Sequence, residues 1–131
     1  DNFYIDEQGE VIEHIARPTY IPVATGHVSR DFAQKELLTL AQFLRADDLW
    51  NAQIEQIYVD RNGDIILSPR VGEHKIIFGD LKDIHTKFNM LYTFYKNIVP
   101  AEGWDKYSTI NLKYKNQIVC KLKKKNNKKS L

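Results

Sequence analysis

Apolar and polar residues alternate along Ser108–Cys120, near the C-terminal end of the chain. One side of this alternation carries Ile110, Leu112 and Tyr114, and the other carries Thr109, Asn111 and Lys113. A period of two predicts a strand with one face on a core and the other in water. Lys115-Asn116 predicts a tight turn or bulge, after which Gln117–Leu122 continues as a second extended run. Only a lysine-rich tail follows, so we expect this run at a sheet edge that another chain can complete.

Two earlier segments show the apolar spacing of helices. The first follows a capping residue at Ser29 or Asp31, and the second follows Asp80 and is predicted to end at Pro100. The apolar positions of the first are Phe32 or Ala33, Leu37, Leu40, Ala41 and Leu44, and those of the second are Ile84, Phe88, Leu91, Tyr92, Tyr95 and Val99. This spacing gives each helix one stripe that can pack on a sheet.

The remaining apolar runs predict strands. Phe3–Ile12 is typical of a hairpin, and Tyr20–Thr25 of a buried strand. Asn62-Gly63 between two apolar runs predicts another hairpin, because both residues tolerate positive φ, and His74–Phe78 adds a third strand to that meander. The predicted fold class is therefore α+β, a mostly antiparallel sheet with two main helices and the C-terminal strand at an exposed sheet edge.

The size and charge of the chain limit the classes of partner. Its 131 residues predict one domain, at residues 1–122, followed by a basic, disordered tail at residues 123–131. The net charge is +2, but six lysines between Lys121 and Lys129 are included in it, so residues 1–120 carry −4. The body therefore lacks a basic surface, and we expect no nucleic-acid partner. The chain opens at Asp1 rather than Met, and we expect a monomeric fragment of a longer protein.

The residue types used in catalysis and metal binding are scattered. The four histidines are His14, His27, His74 and His85. They lack the i, i+4 spacing or the cysteine partners of a metal site. Cys120 lies among strand residues with no glycine-rich elbow beside it, which favours a structural residue over a nucleophile. We therefore predict a protein that is not an enzyme and that has no metal or other cofactor.

Five motifs, in order, resemble the β domain of the bacterial cell-division family FtsQ/DivIB. They are FYIDEQGEV, a capped helix, IILSPRVGEHKIIFGD, KFNMLYTFYKNI and STINLKY. The match covers nearly the whole chain up to Cys120. Asn111, Lys113 and Gln117 stand where the family often has Asp, Arg and Gly.

This resemblance implies a non-enzymatic scaffold of the division machinery. It implies a parent protein held in the inner membrane by one transmembrane helix that this chain lacks, with this domain in the periplasm. In the family, the last strand pairs with a strand of FtsB, which comes with FtsL, and the complex helps to regulate septal peptidoglycan synthesis. Carried over by position, the partner-binding residues are Tyr114, Lys115, Asn116, Gln117, Ile118, Val119, Cys120 and Lys121. They belong to the segment that the alternation places at an edge.

Two other classes of protein stay open. An envelope transport or assembly adaptor of the POTRA-like type would also bind by strand addition, but to an outer-membrane or secreted client. A small hydrolase or sugar-binding domain would instead need a concave pocket with convergent polar groups and acids of shifted pKa.

Overall fold

Eight strands form one sheet in the computed structural model, which describes residues 3–5, 11–12, 23–26, 29, 31 and 33–124. The strands are β1 (Phe3–Ile5), β2 (Val11–Ile12), β3 (Val23–Gly26), β4 (Ile54–Val59), β5 (Ile65–Pro69), β6 (Lys75–Gly79), β7 (Tyr107–Asn111) and β8 (Val119–Leu122). The helices are α1 (Leu38–Arg45), α2 (Asp48–Gln53) and α3 (Ile84–Glu102), and a π-helical segment, Ala33–Leu37, leads into α1. The spatial order of the strands is β2-β1-β3-β4-β5-β6-β7-β8.

The sheet is mixed, and the predicted α+β class is confirmed. β3 pairs in parallel with β4, and β6 pairs in parallel with β7. The other neighbours are antiparallel, including the predicted hairpin β1–β2 and the predicted meander β4–β5–β6. Within the described residues, β8 ends the strand order, as the alternation near the C-terminus predicts.

The helices pack their apolar stripes on one face of the sheet. The first stripe is buried as predicted, at Leu37, Leu40, Ala41 and Leu44. The sheet and α3 complete the core with Ile57, Val59, Ile65, Leu67, Ile76, Phe78, Phe88, Leu91, Ile110 and Leu112. Burying a side chain of this size stabilises the fold by about 1.5–3 kcal/mol, so this cluster fixes the position of every strand from β4 to β7.

The turn between β4 and β5 differs from the predicted one. Only Gly63 has a positive φ, of 85°, and Asn62 does not. The Gly63 N–H donates to the Asp60 carbonyl oxygen, and the Asp60 N–H donates to the Asp64 carbonyl oxygen, each at 3.0 Å. This is a three-residue hairpin loop with glycine at the left-handed position. The Asp60 carboxylate stabilises it by accepting from the N–H groups of Asn62 and Asp64, both at 2.9 Å.

Both predicted ends of the second helix are wrong. Asp83 rather than Asp80 precedes α3, and its left-handed backbone makes no side-chain cap. Pro100 lies inside the last turn, and the helix continues to Glu102. A proline removes one N–H donor, and there the turn still closes through the Gly103 N–H on the Val99 carbonyl oxygen at 2.8 Å. Tyr92, predicted in the apolar stripe, is 47% exposed.

Some predictions fall outside the described residues. These are the turn between β1 and β2, residues 20–22 of the third strand, Phe32 and residues 125–131.

Candidate partner-binding edge

β7 is firmly attached to the sheet and carries β8. Ile110 and Leu112 are buried, and the Leu112 N–H donates to the Ile77 carbonyl oxygen of β6 at 2.8 Å. β8 pairs antiparallel with β7, with Ile110 opposite Cys120 and Asn111 opposite Val119. The last hairpin therefore extends the sheet by one strand beyond the core.

The turn of this hairpin is exposed. The Gln117 N–H donates to the Tyr114 carbonyl oxygen at 3.3 Å, and Asn116 has a φ of 58°, which asparagine tolerates better than most residues. Tyr114 is 53% exposed, so it does not join Ile110 and Leu112 in the core. The alternation fails at Tyr114 because the strand has already ended at Asn111.

An ion pair ties the start of this turn to the meander. Lys113 Nζ lies 2.7 Å from Asp64 Oδ2, at the start of β5. The hydrogen bond and charge of Asp64 raise the pKa of the Lys113 ammonium group, which is therefore charged at any physiological pH. This ion pair fixes the start of the turn, whereas the residues that follow, Tyr114–Gln117, are exposed.

The direction of the backbone groups along β8 follows from one hydrogen bond just after the strand. The Lys123 N–H donates inward to the Lys106 carbonyl oxygen at 2.9 Å. Because backbone groups of successive strand residues point to opposite sides, Lys121 and Val119 also face β7. Cys120 and Leu122 consequently turn their N–H and C=O groups away from β7, and the same alternation directs Ile118 outward. No strand lies beyond them in the part of the chain that the structure describes.

The side chains of β8 divide between the two faces of the sheet. Ile118 and Cys120 are half-buried and pack against the core on the helix side. Val119, which is 45% exposed, and Lys121 lie on the opposite, open face. Burial raises the pKa of the Cys120 thiol, which disfavours the thiolate that a nucleophile requires. Cys120 lies in strand β8, as predicted.

An apolar groove of about 510 Å³ runs between α3 and this edge. It is lined by Thr86, Asn89, Met90, Thr93, Phe94, Asn97, Ile98 and Ile118. Sequence reasoning missed the groove, although Met90, Phe94 and Ile98 form a second apolar row at four-residue spacing on α3. Ile118, which directly precedes β8, forms the wall of the groove on the side of this edge.

A second cleft, of about 440 Å³, lies at the other end of the turn. It is bordered by Lys82 and Asp83 before α3 and by Tyr114, Lys115 and Asn116 of the turn. The eight residues predicted to bind a partner thus form one continuous hairpin arm. Three border this cleft, Gln117 is exposed, Ile118 lines the groove, and the last three belong to β8.

The described ranges contain no group of three or more His, Cys, Asp or Glu side chains that could hold a metal ion. Within the same ranges, no helix combines the length and the apolar character needed to cross a membrane.

Within the described residues, the fold is a mixed α+β domain with an open sheet edge beside an apolar groove. The family model described as "FtsQ/DivIB, C-terminal related" matches residues 1–121, and the chain belongs to this family. The predicted resemblance is thereby confirmed. The family consists of membrane-anchored, non-enzymatic division proteins with a periplasmic domain, which indicates a role in cell division. A search of curated proteins found no match.

Proposed function

We propose that this domain is a non-catalytic scaffold of the division machinery that binds FtsB, in complex with FtsL, by adding a partner strand to β8. The full-length protein is anchored in the inner membrane by a transmembrane helix, with this domain in the periplasm. The complex helps to regulate septal peptidoglycan synthesis. The observation that supports the proposal is the outward direction of the backbone at Cys120 and Leu122, at the end of an eight-stranded sheet.

Main-chain hydrogen bonds provide the general part of the affinity. Ile118, Cys120 and Leu122 each offer one outward N–H donor and one outward C=O acceptor. A net gain of about 0.5–1.5 kcal/mol for each bond must still offset the lost freedom of both partners. The edge alone therefore gives weak binding that does not depend on the partner's sequence.

The groove provides the selective part. Every second residue of the partner strand faces α3. These residues contact Met90, Phe94 and Ile118, so apolar side chains are favoured there. The other residues of that strand lie beside Val119 and Lys121 on the open face, where polar or acidic side chains fit. One buried side chain of leucine or phenylalanine size contributes about 1.5–3 kcal/mol, as much as two or more backbone bonds. The partner strand should therefore alternate between apolar and polar or acidic residues.

A matched pair of substitutions at Cys120 tests this proposal. Cys120→Pro removes an outward N–H, which an edge strand tolerates, whereas Cys120→Ala removes only the side chain. The assay is titration of each variant with the periplasmic segment of FtsB from the same organism, beside thermal melting by circular dichroism. We expect Cys120→Pro to fold and to lose at least tenfold in affinity, while Cys120→Ala binds nearly like the parent.

Ile118 and Val119 give an independent version of the same test. Ile118→Pro removes an outward donor and should weaken binding more than it lowers the melting temperature. Val119→Pro removes an inward donor that pairs with β7, so it should lower the melting temperature by several degrees. Folded Cys120→Pro and Ile118→Pro variants that bind FtsB like the parent would show that β8 is not the interface.

A further inference from the structure

A buried histidine holds the loop that leads into β7. His74 directly precedes β6 and is 2% exposed. Its ring is parallel to that of Trp104 within 5°, with the ring centres 6.1 Å apart, and it meets the Tyr95 ring edge-on at 5.6 Å. On a third side the ring packs so closely on Gly72 that a Cβ added to this glycine would lie 2.9 Å from it. The imidazole thus joins three segments: the β5–β6 loop, α3 and the loop at residues 103–106, here called the Trp104 loop.

The surroundings of His74 favour its neutral form. The Tyr95 hydroxyl lies 2.7 Å from His74 Nε2. Burial raises the pKa of Tyr95, so the phenol keeps its proton and can donate it to Nε2 of the neutral ring. In that arrangement the histidine proton lies on Nδ1, a buried atom without a hydrogen-bond partner that lies near the Trp104 backbone.

Uptake of a second proton conflicts with this arrangement. It would turn Nε2 into a donor, so the Tyr95 hydroxyl would have to rotate to accept from it, and it would put a full charge in a buried site. Two charged groups act on the ring from nearby and oppose each other: Asp105 favours the imidazolium and Lys75 disfavours it. Burial outweighs both and lowers the pKa of His74.

The Trp104 loop is also connected to the edge strand. It enters β7 at Tyr107, and the carbonyl oxygen of Lys106 accepts the inward hydrogen bond from Lys123, just after β8. A change in this loop therefore acts directly on the β7–β8 pairing.

We propose that His74 is an acid-sensitive latch: its neutral form holds the Trp104 loop against the start of β6, and protonation releases the loop and loosens the β7–β8 edge. Since the folded pKa lies below the unfolded one, the stabilising effect is complete above about pH 6.5. The stabilisation is lost as the pH falls from the unfolded-state pKa of His74 to its folded-state pKa. In that pH range, unfolding takes up one proton. The unfolding equilibrium constant then rises by as much as about tenfold per pH unit.

Nuclear magnetic resonance of the unmodified protein between pH 8 and pH 4.5 tests the latch. The His74 ring signals should titrate with a midpoint below that of an ordinary histidine. The indole N–H of Trp104 and the amide of Lys123 should shift with the same midpoint. A Trp104 signal that does not follow His74, or a His74 midpoint at or above the ordinary value, would overturn the proposal.

Two variants separate the latch from simple packing. His74→Gln should abolish the change in the unfolding equilibrium constant that begins near pH 6.5, and a change that persists would count against the latch. If that variant does not fold, Tyr95→Phe serves in its place. It removes the donor that stabilises neutral His74, so the His74 midpoint must move upward. Neither measurement uses a partner, so the latch can fail while strand addition holds, and the reverse.

Discussion

Lys87 Nζ lies 2.9 Å from the carbonyl oxygen of Phe78, so a buried cation on α3 binds the end of β6. The same ammonium group donates to the Asp80 carbonyl oxygen at 2.9 Å and lies 4.9 Å from the centre of the Phe78 ring. One side chain thus satisfies two backbone acceptors at the point where the meander turns toward α3.

Replacing Lys87 by methionine should destabilise the domain. The apolar stem is kept, but the Phe78 carbonyl oxygen loses its side-chain donor, at a cost of about 1–3 kcal/mol for a buried unsatisfied group. Chemical denaturation should show this loss in the free energy of unfolding. Lys82→Met, at an exposed position two residues after Asp80, is the control and should change it little. Equal stability of the two variants would mean that the Lys87 hydrogen bonds contribute nothing net.

Filling the groove should weaken partner binding without unfolding the domain. Thr93 is exposed on α3 and lines the groove, so Thr93→Arg puts a long charged side chain where the partner's apolar residues would lie. We expect the affinity for FtsB to fall by about tenfold or more, the equivalent of one lost apolar contact. Tyr92→Arg, at an exposed neighbouring position outside the groove lining, is the matched control. Equal affinities would assign the groove no role.

The exposed turn should contribute less than the edge. Tyr114→Ala and Lys115→Glu change side chains that border the cleft and leave the backbone of β8 intact. Each should weaken FtsB binding by less than Cys120→Pro does. Isothermal titration of the three variants under one buffer condition gives the ranking, and the reverse order would move the main contact from β8 to the turn.

Removal of the lysine-rich tail should leave the fold intact. A chain ending at Lys124 keeps the Lys123–Lys106 backbone bond and should melt like the parent. A chain ending at Leu122 loses that bond and the 3.2 Å ion pair of Lys123 with Glu73, for a cost of about 0.5–1.5 kcal/mol. Melting curves compare the two truncations. A drop of several degrees for the chain ending at Lys124 would show that the residues beyond it are packed.

The local sequence pattern predicted the edge hairpin well because its alternating apolar residues are the ones that are buried. Ile110 and Leu112 are buried where the alternation places them, and Lys115-Asn116 forms the turn. The meander was predictable for the same reason. The direction of the β8 backbone was not, because it depends on which residue of β7 pairs with which residue of β8.

Contacts between distant segments account for what the sequence did not show. The parallel pairing of β3 with β4 joins Val23 to Gln56, and no local pattern encodes that choice. The groove requires Ile118 to lie beside α3, which only the β6–β7 pairing brings about. Lys87 resembles a solvated helix residue in sequence, but its ammonium group is buried against the carbonyl oxygens of Phe78, in β6, and Asp80, just after β6.

The parallel pairing of β6 with β7 also determines when the edge can exist. Between these strands the chain must form all 19 residues of α3, so closing this connection costs entropy before any hydrogen bond of β7 is gained. Among the described strands, β8 in turn pairs only with β7. The edge therefore joins the sheet through β7, which depends on this long-range pairing.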